Sequence, residues 1–259
     1  MHRLTWLVCI ALLAAPWRIG AAAQFDPGQI AAVDKAADAL AQLGKDAYKT
    51  GNPPRQTDPE AAKLLDLVFG TAKLNDGPDP VPFAQLDKLN DWLLRVLQTG
   101  FIYICAGTGI NDLTKVATLD EKTQRQLAAN VVAFAPEVGR YYDAQLAVSR
   151  AETDTIVAEL TAHPDRLKSD QAMRGLAIAR GGVAKTLIGV VTTFPAPGLE
   201  PTWIRDREKA LMAIAPSAAR FLEEDSRNQV AAAALQVAGA MPDPAVKDGL
   251  AAFAKAIAP

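Results

Sequence analysis

Residues 179–189 read ARGGVAKTLIG. Gly181, Gly182, Lys185 and Thr186 are the residue types, at nearly the spacing, that hold a nucleotide's phosphates. In such a loop glycines let backbone N–H groups curl around phosphate oxygens, the lysine reaches the outer phosphates and the hydroxyl helps hold Mg²⁺. Two features of the surrounding chain oppose that chemistry. The preceding QAMRGLAIA has helical period, where a phosphate loop follows a buried strand. No apolar strand downstream ends in an aspartate that would help hold the metal.

The stretch resembles the glycine-rich loop of the deviant Walker family, which reads GGxGK followed by Ser or Thr. Ala184 stands where the last glycine belongs, so the cradle that the resemblance implies is incomplete. A helix explains the same residues better. Met173, Leu176, Val183, Leu187, Val190 and Phe194 form an apolar stripe, with Arg180 its one polar member. Ala172, Gly175, Ala179, Gly182, Thr186 and Gly189 form a stripe of small residues beside it. The expectation is that the small stripe lets another helix approach closely, offsetting a propensity cost of about 1 kcal/mol per glycine.

Other residues invite chemistry and lose it on inspection. CAGTGIND, from Cys105, carries GxG without a third glycine and reads as a glycine-capped helix end. His163-Pro164-Asp165 matches the tripeptide of the J-domain co-chaperones, but the helix before it, AETDTIVAEL, is acidic where theirs is basic. The tripeptide reads as a helix-breaking turn. Only His2 and His163 are present, and no cysteine cluster accompanies His163, so a typical zinc site is not available. Cys105 in FIYICAG reads as a buried thiol; a reactive one needs an electropositive, partly exposed setting. The carboxylates Glu152/Asp154, Glu223/Glu224/Asp225 and Asp243/Asp248 read as solvated helix faces and turns. We assign no catalytic residue, metal ligand or cofactor, and the balance leans away from an enzyme.

Two stretches match one another. VAFAPEVGRYYDAQ, from Val132, aligns with MAIAPSAARFLEED, from Met212. Ala133/Ala213, Ala135/Ala215, Pro136/Pro216 and Arg140/Arg220 are identical, Tyr141/Phe221 are both aromatic, and Asp143 meets Glu223. The reading is a duplicated helical unit with halves at about 83–162 and 165–240. Each proline is expected to open a helix, with its arginine in the first turns. A carboxylate such as Glu137 would fix such a guanidinium and make it a tie between helices. The alternative is a ligand site in which Arg140 and Arg220, with Tyr141, converge on an anion in a cleft between the halves. Guanidinium groups that share one cleft without carboxylate partners would favour the ligand site.

The N-terminus sets the expected compartment. MHRLTWLVCIALLAAPWRIGAAAQ has a short basic start, an apolar run from Leu4 to Ala15, and small residues around Ala21-Ala22-Ala23. That is the layout of a secretory signal over residues 1–23, cleaved after Ala23. The run is too short for a membrane span, and Pro16 and Arg18 end it. A retained N-terminal anchor is the competing reading. The compartment is then periplasmic or extracellular, where ATP is normally absent. Cleavage removes Arg3 and Arg18, making the formal net charge of −2 more negative by two. Nothing basic remains to suggest nucleic acid, and no span is expected after cleavage. Of the two cysteines only Cys105 is left, so the core must hold without a disulfide.

Half the residues are hydrophobic but only 6% aromatic, and apolar residues recur at helical rather than strand spacing. We read residues 24–259 as a single all-α domain of about eight helices: 27–48, a helix from Asp58, one from Phe83 ended by Gly107 and Gly109, 120–162 interrupted at Pro136, 169–193, 201–214, 216–240 and 244–257. Asp26 is the expected N-cap of the first. The functional expectation is a non-catalytic binding or assembly protein of the cell envelope whose partner is an envelope protein or peptide, engaged through a groove or an exposed apolar stripe. The alternative is a small-ligand binder or enzyme with its pocket near Arg140 and Arg220.

Overall fold

Apolar residues at three- and four-residue spacing predict helices, and every regular element among the described residues is helical. The computed structural model describes residues 27–71, 74–77, 79–111 and 120–259. Residues 1–23 and the Asp26 cap lie outside them. Ten α-helices follow in order: α1 Pro27–Leu43, α2 Ala47–Thr50, α3 Pro59–Val68, α4 Leu86–Ile104, α5 Glu121–Ala133, α6 Ala135–Ala162, α7 Asp170–Thr193, α8 Pro201–Phe221, α9 Glu224–Ala240 and α10 Pro244–Ile257.

Several boundaries are written locally. Asp58 caps α3 by accepting from the Glu60 N–H at 2.9 Å, with Pro59 at the first position. Asp120 caps α5 through the Thr123 N–H, Ser169 caps α7 through Ala172, and Asp243 caps α10 through Ala245. After α4 the chain turns through Gly107 and Gly109, both left-handed at φ +70° and +74°. Their N–H groups donate to Ala47 and Tyr48 carbonyls at 2.9 and 2.6 Å, so the glycine-rich stretch docks on α2.

Helix α6 is the middle of the molecule. It packs against α4 on one side and α8 on the other. Helix α1 covers α3 and α4; α10 sits against α8 and α9, and α7 lies along α9. Buried apolar side chains from Ile30 to Ile257 form one cluster. The α1 stripe of Ile30, Val33, Ala37 and Leu40 is buried, while Leu43 at its end is exposed. On α4 the fully covered line runs through Leu89, Trp92, Val96 and Tyr103; Leu93 and Leu97 are half-buried beside it. Trp92 earns its place by donating Nε1–H to the Val68 carbonyl at 2.8 Å.

The two matching stretches do not take one form. The chain breaks at Phe134 and Pro136 lies in the first turn of α6, as expected. Pro216 instead lies inside α8. The helix continues because Leu211, Ile214, Ala215, Ala218 and Phe221 are buried on both sides of the proline. That packing outweighs a lost backbone hydrogen bond, which costs about 3 kcal/mol in a helix interior. Helix α8 stops only at Leu222, where the backbone becomes extended. The aligned acids also have different partners: Asp143 holds Arg207 of α8, and Glu223 holds Arg180 of α7. The fold therefore does not establish a duplication.

Close approach of α4 and α6 depends on Gly100. A Cβ there would lie 2.2 Å from Cδ2 of Tyr141, whose ring is locked against Phe69 and Tyr142. Gly100→Ala is expected to lower stability by about 1–3 kcal/mol through overpacking, whereas Gly189→Ala, which meets nothing within 4 Å, should raise it by up to about 1 kcal/mol. Urea denaturation of the two variants checks this; equal midpoints would contradict the packing described.

Candidate functional site

The two arginines singled out by the sequence lie on different helices and each has a carboxylate. Arg140, in the first turns of α6, reaches Asp66 of α3 at 2.6 Å. Arg220, in the last turn of α8, reaches Asp154 of α6 at 3.1 Å and its own Pro216 carbonyl at 3.3 Å. Each guanidinium thus spans two helices. Glu137 does not take Arg140. It is fully buried, and its Oε1 accepts from Nε of Arg55 at 3.2 Å and from the Gln56 N–H at 2.8 Å, tying the 51–58 loop to α6. The Arg55 guanidinium also lies over the Phe134 ring, 5.0 Å from its centroid. Tyr141 is buried among aromatic rings, and burial pushes its hydroxyl well above the usual range.

One cleft does receive a predicted residue. It encloses ≈ 580 Å³ between the 74–81 loop and the C-terminal half of α6, and Arg220 closes it from α8. Asn75 donates to the Ala147 carbonyl and Thr155 donates to the Val81 carbonyl, both at 2.9 Å, which pins the loop to the helix. Arg150 and Arg220 flank Asp154 at 3.7 and 3.1 Å. Arg140 is not part of this cleft. The floor therefore offers two guanidinium groups sharing one carboxylate, with Asp79 on the rim.

The segment 179–189 is helix, not loop: Gly181, Gly182, Lys185 and Thr186 all lie within α7. The expected close packing on its glycines is not found. A Cβ at Gly181, Gly182 or Gly189 would meet nothing within 4 Å. Val183, Leu187, Val190 and Phe194 of the apolar stripe are buried, but Met173 is 58% exposed and Ile178 45%. The first half of α7, up to Gly182, has no buried residue. Arg180 leaves the stripe to bind the Phe221 carbonyl at 2.8 Å and the Glu223 carboxylate.

Compared with family models, curated proteins and solved structures, the chain matches none.

The remaining candidates are settled by burial and contacts. The Cys105 thiol is buried and pushed up to about 12 by desolvation, far from a reactive thiolate. His163 is exposed at the end of α6, 3.9 Å from Glu159. Among the described residues no group of three or more His, Cys, Asp or Glu is placed to hold a metal ion. Glu152 corrects the sequence reading: it is a core residue, not a solvated one. Its helix is enclosed by neighbours, and the period of α6 is masked by the polar residues Gln145, Ser149, Thr153 and Thr155 that are buried with it. Sequence reasoning also missed Arg207. Its Nε binds Asp143 at 2.9 Å and Nη1 binds the Trp203 carbonyl at 3.0 Å, while Trp203 Nε1 donates to the Ala135 carbonyl at 2.6 Å. Only the crossing of α6 and α8 brings these together.

Burial pushes the Glu152 carboxyl up to about 8. The folded protein then keeps a proton that the unfolded chain releases above 4.5. The stability that Glu152 contributes is fully present below that value and is lost as pH rises toward about 8, on the order of a few kcal/mol. Glu208, raised to about 7 by desolvation and by Asp243, acts with the same sign. Urea midpoints for wild type and Glu152→Gln across pH 4–9 test this; the variant should lose most of the decline, and an unchanged slope would refute it.

Proposed function

We propose that this chain is an exported, non-catalytic binding or assembly protein of the cell envelope, and that its working surface is the outward face of α7. The observation that carries the reading is a mismatch within one helix. Asp170–Thr193 is long and apolar enough, by length and composition, to cross a membrane, yet its N-terminal half lies outside the core with Met173 and Ile178 exposed. An apolar helix face left open in this way is a site for a partner's apolar groups. A membrane span is the poorer account. It would pull Val190 and Val191 out of the core and strip Arg180 from Glu223.

The second reading, a small-ligand protein or an enzyme, has the cleft beside Arg150 and Arg220 in its favour. An anionic ligand there would have to displace Asp154, which already serves both guanidinium groups. Export rests on the N-terminal pattern, with the chain maturing to begin at Gln24.

Two measurements test the proposal. The mass of the protein purified from the envelope should correspond to residues 24–259; an intact chain in the membrane fraction would overturn cleavage. A photo-reactive side chain at Ile178 should give a discrete adduct in the native envelope. The same group at Leu43, an exposed apolar position on α1, should not. Equal or absent labelling at the two positions would remove the α7 surface from consideration.

A further inference from the structure

We propose that the cleft between the 74–81 loop and the C-terminal half of α6 is a second binding site, taking an elongated monoanion: a carboxylate on an unbranched apolar chain. It is separate from the α7 face and stands whether or not that face docks a partner. The group that points to it is Arg150. Arg55, Arg95, Arg140, Arg180 and Arg207 each reach a carboxylate within 3.2 Å. Arg150 is 3.7 Å from Asp154 and makes no hydrogen bond among the described residues; its Nε is enclosed without an acceptor. A guanidinium with its donors unused, lining a cleft of ≈ 580 Å³, is a carboxylate receptor waiting for its planar partner.

Asp154 does not stand in the way. Its Oδ1 accepts from Arg220 at 3.1 Å, whereas its contact with Arg150 is longer than a hydrogen bond. Displacing Asp154 from Arg150 therefore breaks no hydrogen bond, and Arg220 keeps its carboxylate. The two guanidinium groups against Asp154 leave the floor one positive charge, which one carboxylate neutralises; Asp79 stands on the exposed rim. A dianionic phosphate would leave excess negative charge beside Asp154.

The shape selects the rest of the ligand. The cleft follows α6 from Arg150 and Ala151 to Thr161 and Ala162, about 18 Å along the axis. Past the charged end its wall on α6 is Val157 and Ala158, faced by Val81 of the loop. Ala151 and Val81 are buried, while Ala158 and Ala162 are exposed, so the cleft opens toward the end of the helix. An apolar chain laid along this wall places its carboxylate on the Arg150 fork.

Calorimetric titration of the purified protein with decanoate is expected to show saturable binding. Decyltrimethylammonium, with the same chain and the opposite charge, and acetate, with the charge and no chain, should each bind at least about tenfold more weakly. Arg150→Gln should cost about tenfold or more, and Arg150→Lys most of that, because lysine keeps the charge and loses the fork. Ala158→Trp, at an exposed position, should block the cleft with Arg150 intact. Circular dichroism checks the fold of each variant. No saturable binding of decanoate overturns the site, as does affinity unchanged in both Arg150→Gln and Ala158→Trp. Equal affinity for the ammonium or for acetate overturns the ligand class. Decanoate-induced NMR shifts should fall on Ala151 and Val157; shifts at Met173 and Ile178 instead would refute the cleft and leave the α7 surface standing.

Discussion

Helix α6 is buried along most of its length, with a narrow line through Asp143, Ala147 and Arg150 partly open to water, and the other helices are arranged around that constraint. Its 28 residues pass between α4 and α8 and also touch α5 and α7. Polar groups are carried inward with it, among them Glu137, Gln145, Ser149, Glu152 and Thr155. A buried polar group without a partner costs roughly 1–3 kcal/mol, and three of the segments around α6 are tied to these groups. The 51–58 loop supplies Arg55 and a backbone N–H to Glu137, the 74–81 loop takes the Thr155 hydroxyl at Val81, and α7 offers the Thr186 hydroxyl to Gln145 at 3.0 Å. Glu137 Oε2, Glu152 Oε1 and Thr153 Oγ1 are left without a partner among the described residues, and burial holds the Glu152 proton in place.

Arginines do most of the fastening between helices. Arg95 joins α4 to Asp34 and Asp38 of α1, Arg140 joins α6 to α3, Arg207 joins α8 to α6, and Arg180 joins α7 to the start of α9. The guanidinium suits this work because its planar fork makes several hydrogen bonds in fixed directions and its face stacks on rings. Arg207 uses all of this: it binds the Asp143 carboxylate and the Trp203 carbonyl, and lies 5.0 Å from the Trp203 ring centroid. Exposed pairs such as Arg140–Asp66 contribute little energy alone, but they fix which helix crosses which and so shape the cleft and the surfaces.

Helix α7 departs from this economy. Its C-terminal half is bound into the core, while its N-terminal half keeps apolar and glycine-lined surface in water. Leaving apolar area exposed forgoes roughly 25 cal/mol for each Å² that burial would recover. Glycines in a helix add a further propensity cost. Both costs make sense where the surface is covered by something outside the monomer, and this is why the functional reading rests on α7 rather than on the cleft.

The all-α class, most helix positions and the inert character of Cys105 follow from the sequence alone. They depend on local periodicity, capping residues and the residues beside the thiol, which act over a few positions. Prolines were legible only in part: Pro136 opens a helix where Pro216 is absorbed into one, because burial of Ala215, Ala218 and Phe221 decides the second case. Arg140 and Arg220 could be picked out as a matched pair, but their carboxylates, Asp66 and Asp154, lie 74 and 66 residues away. Glu152 looked like a surface acid because a helix enclosed on several sides has no polar face to give it away. The small stripe on α7 was visible as a helix-packing face, yet none of its residues is buried, and only the packing around α7 decides that. Spacing along the chain determines what a segment can be; which of its faces meets water is a property of everything packed around it.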